Sequence, residues 1–112
     1  MKITDIIQQL DLKVLSGQNG LSNKIKGGYV SDLLSDVMGN AKEGEIWITL
    51  QTHQNIIAVA SLKDIAAIII VKGADPEADT IEKSNIENIP LLGTELDTFT
   101  IAGRLFELLK KE

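Results

Sequence analysis

Residues 46–71 read IWITLQTHQNIIAVASLKDIAAIIIV. Two apolar runs, Glu45–Leu50 and Ala66–Val71, have the length and β-branched content of buried strands. Between them Gln54–Lys63 reads as a helix. A polar knot, Gln51–Asn55, sits where the first strand ends and the helix begins, and it holds the only histidine of the chain, His53. This is the pattern of one β-α-β unit. In open α/β sheets ligands bind outside the carboxyl ends of strands, so the crossing at Gln51–Asn55 is where a function is first expected.

Outward from this unit the alternation continues. Pro76 suits a first helical turn and opens a helix over PEADTIEKSNIEN, followed by a short strand at Ile89–Leu92. The final segment DTFTIAGRLFELLKK predicts a helix capped by Asp97 or Thr98, with Phe99, Ala102, Leu105, Phe106 and Leu109 as its buried face. Lys110 and Lys111 suit the negative end of its dipole. Towards the amino terminus, Ile3, Ile6, Ile7 and Leu10 have i, i+3, i+4, i+7 spacing, which predicts a helix that Thr4 can cap. Lys13–Ser16 and Ile25–Val30 read as short strands, with Gly27–Gly28 marking a bulge or a close backbone approach. Ser31 or Asp32 can cap a helix over LLSDVMGNA, whose face is Leu33, Leu34, Val37 and Met38 and whose end is Gly39–Asn40. Glu43–Gly44 is a turn. The expected class is α/β, with a mainly parallel sheet and right-handed crossovers.

Composition narrows the function. The chain of 112 residues has a net charge of −5, from 16 acidic and 11 basic residues, and fits a single domain over residues 1–112. Hydrophobic residues make up 44% and aromatic residues 4%, so aliphatic side chains must build the core. The basic residues are scattered, which argues against nucleic-acid binding. Cysteine is absent, removing disulfides, thiolate catalysis and cysteine-based metal sites, and this is compatible with a cytoplasmic location. The longest apolar run, Ile65–Val71, falls far below the ~20 residues of a membrane span, and the first residues carry no secretion signal.

The chemical motifs are few. Thr52 and Asn55 can cap the helix after the first strand, and the first free N–H groups of that helix can hold an anion. His53 can add a donor or a proton switch, or it can be a surface residue held by a backbone hydrogen bond. Asp97 and Thr98 are caps that can also face a ligand. Gly73 lies in the loop Gly73-Ala-Asp75 after the strand ending at Val71. In a parallel sheet these three turns open on one edge and can form a shallow pocket. The expected ligand-binding set is therefore Gln51, Thr52, His53, Asn55, Gly73, Asp97 and Thr98. No nucleophile elbow, dinucleotide fingerprint or phosphate loop is present. A lone histidine specifies no zinc site. Asp32 and Asp36, four apart, are conceivable magnesium ligands but more commonly partner a helix dipole. No catalytic residue, metal or cofactor is expected.

GYVSDLLS at Gly28–Ser35, TLQTHQN at Thr49–Asn55 and DTF at Asp97–Phe99 resemble the small bacterial proteins of the DRTGG-domain family. These are themselves similar to the N-terminal domain of HPr kinase/phosphorylase. The string Asp-Arg-Thr-Gly-Gly is absent as such, and Lys72–Gly73 stands roughly where relatives end the strand with Thr-Gly-Gly. The resemblance implies a three-layer α/β sandwich akin to the N-terminal domains of HPr kinase and Mur ligases. It implies a non-catalytic regulatory or sensor module that binds a small anionic ligand, such as a nucleotide, or a protein partner. The alternative is a pure interaction or dimerisation adaptor in a redox or hydrogenase-associated system. A serine-kinase activity would belong to the kinase's other domain, which carries the phosphate loop. A homodimer is expected from the analogy and from the high aliphatic content of a small domain.

Overall fold

A computed structural model describes residues 1–112. The chain forms α1 (Ile3–Leu10), β1 (Lys13–Ser16), a 3-10 turn (Gln18–Gly20), β2 (Gly27–Val30), α2 (Leu34–Asn40), β3 (Glu45–Thr49), α3 (Asn55–Leu62), β4 (Ala67–Ile70), α4 (Ala78–Glu87), β5 (Leu91–Gly93) and α5 (Thr98–Lys110). The five strands make one sheet in the order β1-β5-β4-β3-β2. Strands β2 to β5 are parallel, and β1 closes the far edge antiparallel to β5 with an irregularity between Val14 and Ser16.

From β2 to β5 each strand is laid beside the last in the same direction. A fixed crossover hand then puts every connecting helix on one face. Residues of α2, α3 and α4 accordingly share a cluster with Trp47, Ile68, Ile70 and Leu91. The other face, with Ile46, Ile48, Ile69 and Leu92, is covered by α1 and α5. Side chains alternate along each strand, so both faces of β3 and β4 are buried and these strands read as unbroken apolar runs.

Several local expectations shift. α1 is not capped by Thr4: Lys2 is the cap position, and its N–H donates to the Asp5 carboxylate at 2.8 Å. Neither Ser31 nor Asp32 caps α2 directly, because Leu33 is the cap residue and its N–H donates to Ser31 Oγ at 3.1 Å. Gly39 lies inside α2, and the chain leaves through extended backbone at Ala41. Of the α2 face only Val37 is buried, while Leu33 and Met38 are exposed. Strand β2 keeps an unbroken register with β3, so the glycine pair marks no bulge. It does mark a close approach: a Cβ on Gly28 would sit 3.3 Å from Leu105 Cδ2. The buried face of α5 is the largest correction. Ile101 and Leu105 turn inward, whereas Phe99 is 89% and Phe106 65% exposed.

Candidate functional site

The carboxyl ends of β2, β3, β4 and β5 share one rim. At the exit of β3 the Thr49 side chain is buried, and its hydroxyl donates to Asp32 Oδ1 at 2.8 Å. Leu50 N–H donates to the same oxygen at 2.8 Å. Gln51 N–H donates to Thr49 Oγ1 at 3.1 Å, and the Gln51 amide donates to the Asp32 carbonyl at 2.9 Å. Asp32 therefore organises the β3 exit from the neighbouring β2 exit, a role that the sequence does not announce. Its trace there is a Ser-Asp pair just past a strand end, beside a Thr that ends the next strand.

Thr52 contributes its backbone. The carbonyl accepts from Thr80 Oγ1 at 2.7 Å and from Glu77 N–H at 3.2 Å, fastening the start of α4. Gln54 is the cap position of α3 and caps nothing through its side chain; just before it, His53 Nδ1 accepts from Asn55 N–H at 3.1 Å, and its carbonyl accepts from Ile56 N–H at 3.1 Å. Ile57 N–H donates to the Gln54 carbonyl at 3.0 Å. These donors at the start of α3 are thus paired within the chain, not free to receive an anion, and neither Thr52 nor Asn55 caps the helix through its side chain.

After β4, Lys72 and Gly73 both take left-handed backbone, with φ of 59° and 64°. This turns the chain so that Lys72 N–H donates to the Leu96 carbonyl at 2.9 Å and Gly73 N–H to the Thr94 carbonyl at 2.8 Å. A side chain on Gly73 would collide with the Glu95 carboxylate. Asp97 caps α5 as expected, accepting from Thr100 N–H at 2.8 Å. Bonding from the Thr100 hydroxyl and N–H, with the nearby Lys72 charge, holds its carboxyl below the usual value.

The predicted residues share a rim but no common recess among the larger cavities. Gly73 lines an open cleft of about 530 Å³ with Lys13, Asp75, Thr94 and Glu95, and none of Gln51, Thr52, His53, Asn55, Asp97 or Thr98 reaches it. Asn55 lines a separate recess of about 260 Å³ with Lys83 and Glu87. Asp32 and Asp36 do not act as a pair either. Asp36 accepts from Tyr29 OH at 2.8 Å and from the Asn40 amide at 3.0 Å. The Tyr29 bond is the main reason why Asp36 stays below its usual value and Tyr29 above its own. No group of three metal-ligating carboxylate or histidine side chains converges in the chain.

A different surface stands out. Between α5 and the edge strand β2 lies an apolar groove of about 360 Å³, lined by Gly28, Val30, Phe99, Gly103, Phe106 and Leu109 among others. Sequence reasoning missed it by assigning the Phe stripe to the core.

Comparison with known proteins places the architecture. The solved structure of the CBS and DRTGG domains of the regulatory region of Clostridium perfringens pyrophosphatase, complexed with the activator diadenosine tetraphosphate, superposes with a TM-score of 0.71 at 22% identity. The match covers 93% of this chain and 45% of that one, so this chain spans less than half of that structure's length. The likeness is one of fold. No curated protein sequence matches the chain. The family model for the DRTGG domain matches residues 5–108, and the chain therefore belongs to the DRTGG domain family.

Proposed function

We propose that this chain is a non-catalytic regulatory module of the cytoplasm that works by protein–protein contact through the groove between α5 and β2. The observation that carries this reading is the exposure of Phe99 and Phe106 on one side of a helix in a domain with only 4% aromatic residues. Contiguous exposed apolar surface marks interaction sites. The rim argues in the same direction, because its polar groups bond to one another and leave no nucleophile paired with a base. The resemblance to the N-terminal domain of HPr kinase/phosphorylase supports a module that modulates other activities, as does the solved DRTGG domain within a pyrophosphatase regulatory region.

A second reading is favoured by one observation: that structural neighbour is complexed with a nucleotide activator. In this reading a small anionic ligand, such as a nucleotide, binds the rim at Gln51, Thr52, His53, Asn55, Gly73, Asp97 and Thr98. Two titrations separate the readings. An apolar fluorescent dye is expected to bind the dilute wild-type chain and to lose that binding in Phe99→Ser/Phe106→Ser. Calorimetry with ATP and with diadenosine tetraphosphate is expected to show no heat of binding. A dye response that survives the double substitution, or nucleotide binding that disappears in His53→Ala, overturns the contact reading.

A further inference from the structure

We infer that the free edge of β2 receives an extended segment of a partner protein in which apolar and basic residues alternate, and that this segment joins the sheet as an added strand. The inference rests on the contact reading above and names the chemistry of the occupant. Successive residues of a strand send their backbone groups to opposite sides. Lys26 N–H donates to the Gly44 carbonyl at 2.8 Å, which makes the even-numbered residues the ones that bond β3. Gly27 and Tyr29 therefore direct their N–H and C=O groups outward, where β2 has no neighbour. Just before β2 the same side already accepts an extended segment: Ile25 N–H donates to the Met1 carbonyl at 2.9 Å, and Lys2 pairs antiparallel with Lys24. That pairing stops short of Gly27, and the edge runs on unpaired. Proteins blunt such edges with charge, proline or a bulge. β1 at the opposite edge does so, starting at Lys13 and losing register between Val14 and Ser16. β2 reads Gly-Gly-Tyr-Val, with no charge, no proline and an unbroken register.

The two faces beside this edge decide the side chains. An added strand alternates its residues between the faces of the sheet. On the α5 face they meet Gly28, Val30, Phe99 and Phe106 along the groove of about 360 Å³, which no charged side chain lines. On the α2 face they meet Tyr29 and two carboxylates. Asp36 Oδ2 accepts from the Tyr29 hydroxyl at 2.8 Å, and Glu45 Oε2 lies 3.4 Å from the position that a Gly27 Cβ would occupy. The ion pairs of the chain, Met1–Glu112 and Lys26–Glu43, involve neither carboxylate. Backbone bonds supply affinity in strand addition and alternate side chains supply specificity, so charge complementarity asks for lysine or arginine on the α2 face and aliphatic residues on the other. A second copy of this chain does not meet that demand. Its β2 brings no base, and edge-to-edge pairing sets its own Asp36 and Glu45 on the same face as these.

The probe is a short synthetic peptide, blocked at both ends, that alternates lysine with valine and carries a fluorescent label. In anisotropy titrations it is expected to bind the chain saturably. Replacing its lysines by glutamate should weaken binding at least about tenfold, because like charges then face Asp36 and Glu45. Methylating either the lysine amides or the valine amides separates a strand from any other binder. One set faces β2 and the other faces solvent, so one methylated peptide should fail and the other should bind. Gly27→Pro removes an outward donor that the ladder to β3 does not use, a change that sheet edges tolerate. It should weaken binding about tenfold, near the worth of one hydrogen bond. Val30→Lys, at an exposed position, should weaken it at least as much by charging the edge. It also keeps the test open if the proline variant fails to fold. Methylated peptides that bind equally overturn the inference, as does undiminished binding of the lysine peptide by folded Val30→Lys. In sedimentation equilibrium, self-association that Val30→Lys abolishes would put a second copy on the edge and overturn it too. If no peptide binds while the apolar dye still binds and is lost in Phe99→Ser/Phe106→Ser, the contact reading stands and the added strand falls. If the dye does not bind either, both fall.

Discussion

Asp32 Oδ1 accepts from both the Thr49 hydroxyl and the Leu50 N–H, so it joins two adjacent strand exits. Removing it leaves the buried Thr49 hydroxyl without its acceptor. An unsatisfied buried group costs about 1–3 kcal/mol, so Asp32→Ala is expected to lower unfolding free energy by that order. Asp32→Asn keeps an acceptor oxygen and should lose less. Urea denaturation of the two variants checks the order. The Tyr29–Asp36 bond adds a dependence on pH. Asp36 is depressed in the folded state from an ordinary 3.8, so its stabilisation is present above that value and fades as pH falls through the folded value. Tyr29 is raised from an ordinary 10.0, so its contribution is complete below that value and fades as pH rises through the folded value. Tyr29→Phe is expected to flatten both limbs, with a weaker loss of stability below about pH 4 and none assignable to this pair above about pH 10. Urea midpoints measured from pH 3 to pH 11 test it, and unchanged limbs in the variant would sink the assignment.

Among elements, α3 and α5 show what a pattern can and cannot carry. His53→Ala removes the acceptor for Asn55 N–H and is expected to cost about 1 kcal/mol, the net worth of one hydrogen bond. His53→Asp should restore most of it in a thermal melt. If the alanine variant melts like the wild type, the ring does not hold the start of α3. The β3-α3-β4 unit was legible because strands buried on both faces leave continuous apolar runs at Ile46–Ile48 and Ala67–Ile70. The last helix was legible in extent and in its Asp97 cap but not in its rotation. Its apolar residues Phe99, Ile101, Ala102, Leu105, Phe106, Leu108 and Leu109 spread over about half of the circumference, wider than the stripe that can face the sheet. Only the packing of Leu105 against Gly28 decides which stripe turns inward. The site was legible as a place, since Gln51–Asn55 does lie at a strand exit. Its chemistry was not, because hydrogen bonds from Asp32 to Leu50 or from Thr80 to Thr52 join residues that no local spacing relates. Gly17 shows the same limit. Its backbone is left-handed, φ 73°, and a side chain there would strike the Ile89 carbonyl. Gly17→Ala should therefore destabilise by more than the ~1 kcal/mol typical of a point substitution, read as a lower urea midpoint.

For the whole molecule, the question is how the amino-terminal segment is tied to a sheet built mainly from the later strands. β1 contributes few core side chains and lies at the edge beside β5. A buried polar chain reinforces it. Ser16 Oγ donates to Ser84 Oγ at 2.8 Å, and Ser84 Oγ donates to the Ile89 carbonyl at 2.7 Å. Gly17 N–H donates to Asn85 Oδ1 at 2.8 Å beside them. Both serines are buried, so water cannot replace a lost partner. Ser84→Ala strands the Ser16 hydroxyl and should cost about 1–3 kcal/mol. Ser16→Ala leaves Ser84 bonded to Ile89 and should cost about 1 kcal/mol, the net worth of one hydrogen bond. In the double variant no hydroxyl is stranded, so its loss should fall short of the sum of the single losses, a positive coupling between residues 68 apart in sequence. Urea unfolding of the three variants measures this, and an unchanged slope would show that the compactness of the end states is preserved. Strict additivity would mean that the two serines act separately, leaving β1 held by its ladder to β5 and by Asn85 alone.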